Sequence, residues 1–271
     1  MDFVYLWTQA SGLRLLTADC RLPTSNIINM LILVTIYLVL FLTVLGSGSL
    51  IFVLKTSDPK IQKLLLAFSG AFLIGISFLK LIPEIFSSPV RHVGLFIILG
   101  YLIQLGLELL TAGAEHGHRH VHSDDERVSP FLLLFGLSIH SFLEGMPIAP
   151  GFNTAIQHTL VLGIVIHNIP ISLTLMSLFI HYGCSGRKAF GYLMIFALMT
   201  PLGSAVSHLV HITTGGSVEV YGNYLLAIVV GIFLHVSTSI LFETGENHKF
   251  NLQKFITVCI GILCAFGLSL I

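Results

Sequence analysis

Eight long stretches of apolar residues govern what this chain can fold into. Each has few or no charges and runs for about 20 residues or more, the length with which an α-helix crosses the hydrocarbon core of a bilayer. They lie at residues 27–54, 62–86, 92–114, 129–150, 155–182, 189–212, 222–243 and 254–271. Only 10% of the 271 residues are charged, compared with roughly 25% in soluble domains. The sequence therefore predicts an all-α, polytopic membrane bundle of eight transmembrane helices.

The positive charges are distributed unevenly between the two ends of these segments. Because eight spans place both termini on one side, the positive-inside rule can orient the chain. The loops after the first, third, fifth and seventh segments carry most basic residues, at Lys55, Lys60, Lys63, Arg119, Arg127, Arg187, Lys188, Lys249 and Lys254. The opposite side carries Arg14, Arg21 and Arg91. Both termini are therefore predicted on the non-cytoplasmic side.

The stretch IHSFLEGMPIAP, residues 139–150, places two ionisable groups inside the fourth segment. His140 and Glu144 are four residues apart, so in an α-helix they lie one above the other on the same face. An ionisable side chain at mid-membrane is unfavourable unless it faces a cavity or a partner, and it indicates a functional site by default. A mutual hydrogen bond is the alternative interpretation. Further along, Pro147 has no N–H and is expected to release the carbonyl of Leu143.

The fifth segment carries polar groups at a similar depth. Its sequence LVLGIVIHNIPISLTL places His167 and Asn168 about halfway along the apolar run, followed by Pro170. Because Pro170 lacks an N–H, the carbonyl of Ile166 loses its helical partner beside His167. Two adjacent antiparallel helices would bring these groups level with the pair in the fourth segment. Imidazoles together with one carboxylate suit zinc and neighbouring first-row metals.

Four histidines alternate with other residues in the connection after the third segment. Residues 114–128 read AEHGHRHVHSDDERV and contain His116, His118, His120 and His122, followed by an acidic run. A His-rich tract of this composition is typical of metal binding. We predict a cytoplasmic loop that contacts metal as a buffer or sensor, because a flexible tract has no closed ligand geometry. A polar linker without a metal role is the alternative.

Together these motifs resemble the ZIP metal-ion transporters, the zinc- and iron-regulated transporter-like proteins. The resemblance rests on HSFLEG in the fourth segment, HNIP in the fifth, LLLAFSGAFLIGISFLKLIPEIF in the second, TPLGS in the sixth and the His-rich loop. It covers nearly the whole chain from about residue 30. It implies an eight-helix transmembrane transporter domain at residues 26–271. Residues 1–25, of mixed character, are predicted to form an extracytoplasmic segment, as an interfacial helix or a frayed tail. Transport by sliding of one helix group against another is also implied.

Residue by residue, the resemblance implies a transport site on the fourth and fifth segments. The implied metal ligands are His140, Glu144 and His167, with Ser141 and Asn168 beside them. A partly dehydrated ion would bind there near mid-membrane, with water or a carbonyl completing its coordination.

The chain departs from the family pattern at three positions. Many members have a second carboxylate where this chain has Ile171, and some have a glutamate where it has Thr200. Because those carboxylates help to bind a second ion, one ion rather than a binuclear pair is expected here. The second segment commonly has a histidine where this chain has Lys80, and a cation near the entrance would repel a metal ion.

Other polar residues in the segments have both a structural and a functional interpretation. Lys80 can extend toward the interface and pair with Glu84 one turn on. His235 could line the metal path or hydrogen-bond a neighbour. Glu108 could be structural or lie on the exit side. The structural interpretation is favoured for Lys80 and His235, and for Glu108 a structural or exit-side role is favoured over a role as a metal ligand.

The resemblance predicts a transporter that moves a divalent metal ion, with Zn²⁺ first, into the cytoplasm, and not an enzyme. The metal is cargo, so no resident cofactor is expected. The predicted partners are the ion and the lipid bilayer of the plasma or inner cell membrane, and a homodimer is left open. A formal net charge of zero argues against nucleic acid as a partner.

Two other function classes fit parts of the same pattern. An intramembrane zinc-dependent hydrolase could use two histidines and a carboxylate, but it would need an open coordination position and a general base. A metal-sensing membrane protein would bind ions without moving them. Metal flux separates both classes from a transporter.

Overall fold

The computed structural model describes residues 24–54, 58–88, 90–111, 129–148, 154–214, 218–243 and 252–270. Within these ranges α-helices dominate and no strand occurs. The described helices that are long and apolar enough to cross a membrane number eight, which confirms the predicted all-α bundle. They are α1 Thr24–Leu54, α2 Pro59–Ile76 with its continuation to Ser87, α3 Val93–Thr111, α4 Pro130–Gly145, α5 Thr154–His181, α6 Gly186–Thr214, α7 Val218–Glu243 and α8 Leu252–Ser269.

The chain divides into two units. The unit Met1–Val34 contributes only the first turns of α1 to the described residues. The unit Thr35–Ile271 contains the rest of α1 and all the other helices. The side of the membrane on which each terminus lies stays a prediction from the charge distribution.

Proline and a capping side chain set the start of two helices. Asp58 precedes Pro59, and its side chain accepts a hydrogen bond from the backbone N–H of Lys60 at 2.9 Å. Ser129 precedes Pro130 and accepts from the N–H of Phe131 at 3.3 Å. Proline suits the first helical position because an N–H there would have no intrahelical acceptor, so its absence costs nothing. The capping side chain then accepts from one of the remaining N–H groups of the first turn.

Helix α2 changes its winding near Lys80. After Ile76 the chain forms a π-helical turn, Ser77–Leu81, and then continues as the α-helix Ile82–Ser87. In such a turn the backbone N–H bonds five residues back instead of four, and here the turn ends two residues before Pro83, which has no N–H to donate. Lys80 is half-buried, and its Nζ donates to the carbonyl of Leu268 near the C-terminus of α8 at 3.3 Å. A cation is favourable at a helix C-terminus, which gives Lys80 the structural role that the sequence favoured.

The end of α4 corrects one expectation. Pro147 was expected to leave the carbonyl of Leu143 without a partner, but this carbonyl accepts a hydrogen bond from the backbone N–H of Met146. The chain tightens into the 3₁₀ turn Met146–Ile148, in which each N–H bonds three residues back instead of four. The tighter turn thus satisfies the carbonyl that Pro147 cannot reach, and it ends the helix.

Helices α3 and α7 touch through their backbones at two glycines. A Cβ atom on Gly100 would collide with the carbonyl of Ile228, and a Cβ on Gly231 would collide with the carbonyl of Ile97. Only glycine permits such a close approach, as is common where membrane helices pack. These two contacts fix the facing side chains of α3 and α7 relative to one another.

Helices α4 and α6 are held together in the same way. A Cβ on Gly145 would meet the carbonyl of Thr200, and a Cβ on Gly203 would meet the carbonyl of Phe142. The reciprocal pair lies at the level of the HSFLEG stretch. It therefore positions α4, and with it His140 and its neighbours, against α6.

Two of the three apolar clusters in the described interior share helix α5. The first half of α5, including Leu160 and Ile164, packs into a cluster with α2, α7 and their neighbours. The second half, including Ile171 and Leu175, packs into a cluster with α4 and α6. His167 lies between the two halves. It belongs to a layer of buried polar side chains, named the polar layer below, that also contains His140, Glu144 and Asn168.

Burial differs sharply among the helices. Only 11% of the most apolar stretch of α1 and of α8 is buried, compared with 72% in α5. Large apolar side chains are exposed along α1, α3, α6 and α8. Because such surfaces are unfavourable in water, they are suited to lipid, while α5 forms the centre of the bundle.

Candidate metal centre

Three ionisable side chains converge in the polar layer. His140 and Glu144 come from α4 and His167 comes from α5, and one ligand atom from each lies within 4.8 Å of the others. The Nε2 atom of His140 is 3.0 Å from Oε1 of Glu144. The rings of His140 and His167 have centroids 5.9 Å apart. The structure thus brings together the three residues predicted as ligands.

The site is sealed from solvent by the protein itself. His140 is 1% exposed, and Glu144 and His167 are 0% exposed. Neither ring nitrogen of His167 has a hydrogen-bond partner among the described residues, although both are buried. Buried polar atoms without partners are unfavourable and call for an explanation. A cation held between the carboxylate and the imidazoles would satisfy them.

Gln104 on α3 orients His140. Its Oε1 atom lies 2.8 Å from Nδ1 of His140, and its side chain is fully buried. Because an amide oxygen only accepts, Nδ1 carries the proton and Nε2 is left to face Glu144. Metal-binding histidines are commonly held by such a hydrogen bond from the other ring nitrogen.

Sequence reasoning missed Gln104. The available signal was a single amide inside an otherwise apolar third segment, FIILGYLIQLGLELL. An unpaired amide in lipid is unfavourable, so it should have been expected to face a polar partner inside the bundle.

Asn168 and Ser141 differ in their surroundings. Asn168 is 1% exposed, and its amide atoms have no hydrogen-bond partner within the described ranges. The Oγ atom of Ser141 lies 2.7 Å from Oγ1 of Thr200 on α6, so this hydroxyl is already engaged. Asn168 thus has free bonding capacity and Ser141 has less. Their roles as metal neighbours stay predictions.

The predicted loop contacts cannot be placed. His116, His118, His120 and His122 lie outside the described residues, as does most of the N-terminal segment 1–25. Their roles stay predictions from the sequence.

Comparison with known proteins gives a family. Residues 109–269 match the family model described as ZIP Zinc transporter. The chain is 26% identical over 127 residues to zinc transporter ZIP9-B of Xenopus laevis, with 44% of this chain and 40% of that protein covered. It is 31% identical over 127 residues to zinc transporter ZIP2 of Homo sapiens, with 45% and 40% covered. It is 27% identical over 150 residues to protein zntD of Dictyostelium discoideum, with 51% and 22% covered.

These similarities cover only part of the relatives. The matched region spans 40% of the length of ZIP9-B and of ZIP2, and less of zntD. The family match contains all three converging residues, since residues 109–269 include both α4 and α5.

Proposed function

Because the chain belongs to the family of ZIP zinc transporters, we propose that it carries a divalent metal ion, with Zn²⁺ first, across the membrane. His140, Glu144 and His167, here named the transport site, would bind the ion on its way. The observation that carries this proposal is the convergence of their ligand atoms within 4.8 Å inside the bundle. The protein is a multi-pass membrane protein of a transporter family and not of an enzyme family.

The donor set suits zinc. Zinc binds imidazole nitrogen and carboxylate oxygen at about 2.0–2.2 Å, commonly with four ligands. Three protein ligands leave a position for water or for the Asn168 amide beside His167. The chemistry of the transport site is therefore that of a zinc site with room for exchange.

Charge favours transfer over retention. One carboxylate and two neutral imidazoles carry a single negative charge, so a divalent ion leaves the loaded transport site positive. An uncompensated charge in a buried site is unfavourable. The ion is therefore expected to bind and leave, in contrast to a structural zinc whose ligands neutralise it.

The direction of transport is proposed from the charge distribution. The basic loops mark the cytoplasmic side, and they include the connection that carries His116 to His122. Histidines on that side would accept an ion that has crossed the bundle. We propose uptake into the cytoplasm through the plasma or inner cell membrane, with residues 26–271 as the transport domain.

The experiment that tests the proposal is uptake of radiolabelled zinc into liposomes that contain the purified chain. His140→Ala and Glu144→Ala should abolish uptake, because each removes a ligand. His158→Ala is the matched control, since His158 is an exposed histidine on α5 outside the transport site. Zinc binding without flux in the parent chain would instead support a metal sensor.

A further inference from the structure

One face of α6 changes character halfway along the helix. In the first half this face is apolar, and Leu193, Phe196 and Ala197 are at most 1% exposed and pack into the cluster shared with α4 and α5. In the second half the same face carries hydroxyl and imidazole groups at intervals of three or four residues, which place them on one side of the helix. These residues, here named the polar row, are Thr200, Ser204, Ser207, His208 and His211.

The polar row begins at the transport site and runs to one end of the helix. The Oγ1 atom of Thr200 lies 2.7 Å from Oγ of Ser141, the residue that follows His140. His211 lies in the last turn of α6, eleven residues and therefore about 16 Å further along the axis. This end is opposite the basic first turn of α6, so it lies on the non-cytoplasmic side in the orientation proposed above.

Several groups of the polar row are buried without a partner. Ser204 and Ser207 are 0% exposed, and His208 and His211 are half-buried. Neither Oγ of Ser207 nor Nδ1 of His208 has a hydrogen-bond partner among the described residues. Such groups are unfavourable inside a membrane bundle unless they meet a polar ligand, and the first half of α6 shows that apolar side chains pack well on this face. The row is therefore suited to contact an ion or water that enters from its end.

The helices α2 and α5 offer apolar surface at the same end. Leu160 and Ile164 of α5 and Leu81 and Ile85 of α2 are at most 1% exposed and belong to one apolar cluster. Lys80 lies beside them on α2 and carries a positive charge that repels a metal ion. A cation that approaches from this side thus meets better ligands along α6 than along α2 or α5.

We propose that His208 and His211 form a metal-capture site, from which the ion follows the hydroxyl groups of the polar row to the transport site. The proposal rests on the transport function proposed above. Imidazoles are zinc ligands, and residues three apart on a helix are neighbours on its surface. The C-terminal end of a helix carries a partial negative charge that favours a cation in its last turn. The capture site contains no carboxylate, so it leaves the double charge of the ion uncompensated and favours release toward Glu144.

The polar row is closed in this structure between its two ends. The hydroxyl of Tyr37 on α1 donates to Oγ of Ser204 at 2.9 Å, and Thr200 is engaged with Ser141. An ion that travels from the capture site must therefore displace the hydroxyl of Tyr37 from Ser204. Hydroxyl groups are weak ligands compared with imidazoles and carboxylates, so this stretch conducts the ion instead of storing it.

The kinetics of zinc uptake test the capture site. A chain with both His208→Gln and His211→Gln should show a KM for radiolabelled zinc raised at least about tenfold, since outer partners of metal ligands already contribute that much. The maximal rate and equilibrium zinc binding at the transport site should stay at the parent values. His158→Gln is the matched control, because His158 is an exposed histidine near the start of α5 on the same side of the membrane. An unchanged KM in the folded double variant would overturn the capture site.

The route along α6 is tested by the accessibility of introduced cysteines. The four native cysteines are first replaced by alanine, and Ser207→Cys is then treated in intact cells with a membrane-impermeant, positively charged methanethiosulfonate. The thiolate reacts and needs water, so Ser207→Cys should be modified, and added zinc should slow the reaction. Ala205→Cys, on the exposed face of α6, and Ala197→Cys, in the apolar first half, should stay unmodified.

The outcomes separate this route from the transport function. Ser207→Cys that stays unmodified in a chain that takes up zinc would overturn the route along α6. Modification only in inverted vesicles would place the polar row on the cytoplasmic side and overturn it as an entrance. Absence of zinc uptake by the parent chain would instead overturn the transport function itself. The kinetic test needs no cysteine replacement, so it decides if the cysteine-free chain does not fold.

Discussion

Gln104→Leu is the substitution whose effect the structure specifies most closely. Leucine has nearly the volume of glutamine, so the change removes the amide without opening a large cavity. The Nδ1–H group of His140, now 2.8 Å from Oε1 of Gln104, would lose its acceptor inside the bundle. The imidazole could then rotate, and Nε2 would no longer be held toward Glu144.

The magnitude follows from the burial of that hydrogen bond. Gln104 is 0% exposed, so water cannot replace the lost acceptor. A buried donor left unsatisfied costs about 1–3 kcal/mol, and each 1.4 kcal/mol is tenfold in affinity. Outer partners of metal-binding histidines typically contribute about 10- to 100-fold to affinity. We therefore expect zinc binding at the transport site to weaken about 10- to 100-fold.

Equilibrium zinc binding to the purified full chain measures this effect. Gln104→Glu keeps an oxygen acceptor at the same position and should bind zinc at least as tightly as the parent. Gln157→Leu is the matched control, because Gln157 is a half-buried glutamine that donates to the carbonyl of Ile148 at 2.7 Å. Parent affinity in a folded Gln104→Leu chain would refute the orienting role.

Three further predictions concern pH, packing and the ligand set. Zinc uptake should fall on acidification, because protonated histidine cannot bind metal, and uptake that is independent of pH would contradict histidine ligation. Gly231→Ala should lower the thermal midpoint in detergent, because its Cβ would collide with the Ile97 carbonyl, whereas Gly191→Ala, with open space around it, should not. Ser141→Ala should reduce zinc affinity less than loss of a transport-site histidine, because the Ser141 hydroxyl is bonded to Thr200 at 2.7 Å; an equal loss in a binding titration would make Ser141 a ligand.

The helices could be predicted because lipid restricts the alternatives. A spanning segment must satisfy its own backbone, so an apolar run of sufficient length specifies a helix. Helix ends followed less closely: α2 begins at Pro59 instead of residue 62, and α6 begins at Gly186 instead of residue 189. The π-helical turn Ser77–Leu81 had no readable signal, because it depends on how α2 meets Pro83 and its neighbours.

The site was predictable where one helix determines the geometry. His140 and Glu144 converge because a four-residue spacing fixes their relation within α4. His167 joined them because it lies at a similar depth on the next helix. The contact of Gln104 with His140 was not predictable in this way, since the rotation of α3 about its axis decides which partner Gln104 meets.

The reciprocal glycine contacts group four of the helices into two pairs, and this has a mechanical consequence. Gly100 and Gly231 lock α3 to α7, and Gly145 and Gly203 lock α4 to α6. The hydrogen bond from His140 to Gln104 crosses between the two pairs. A shift of one pair against the other would therefore change this hydrogen bond before it separated either glycine contact. The orientation of His140 would change with this hydrogen bond, so such a movement would loosen the ion at the transport site.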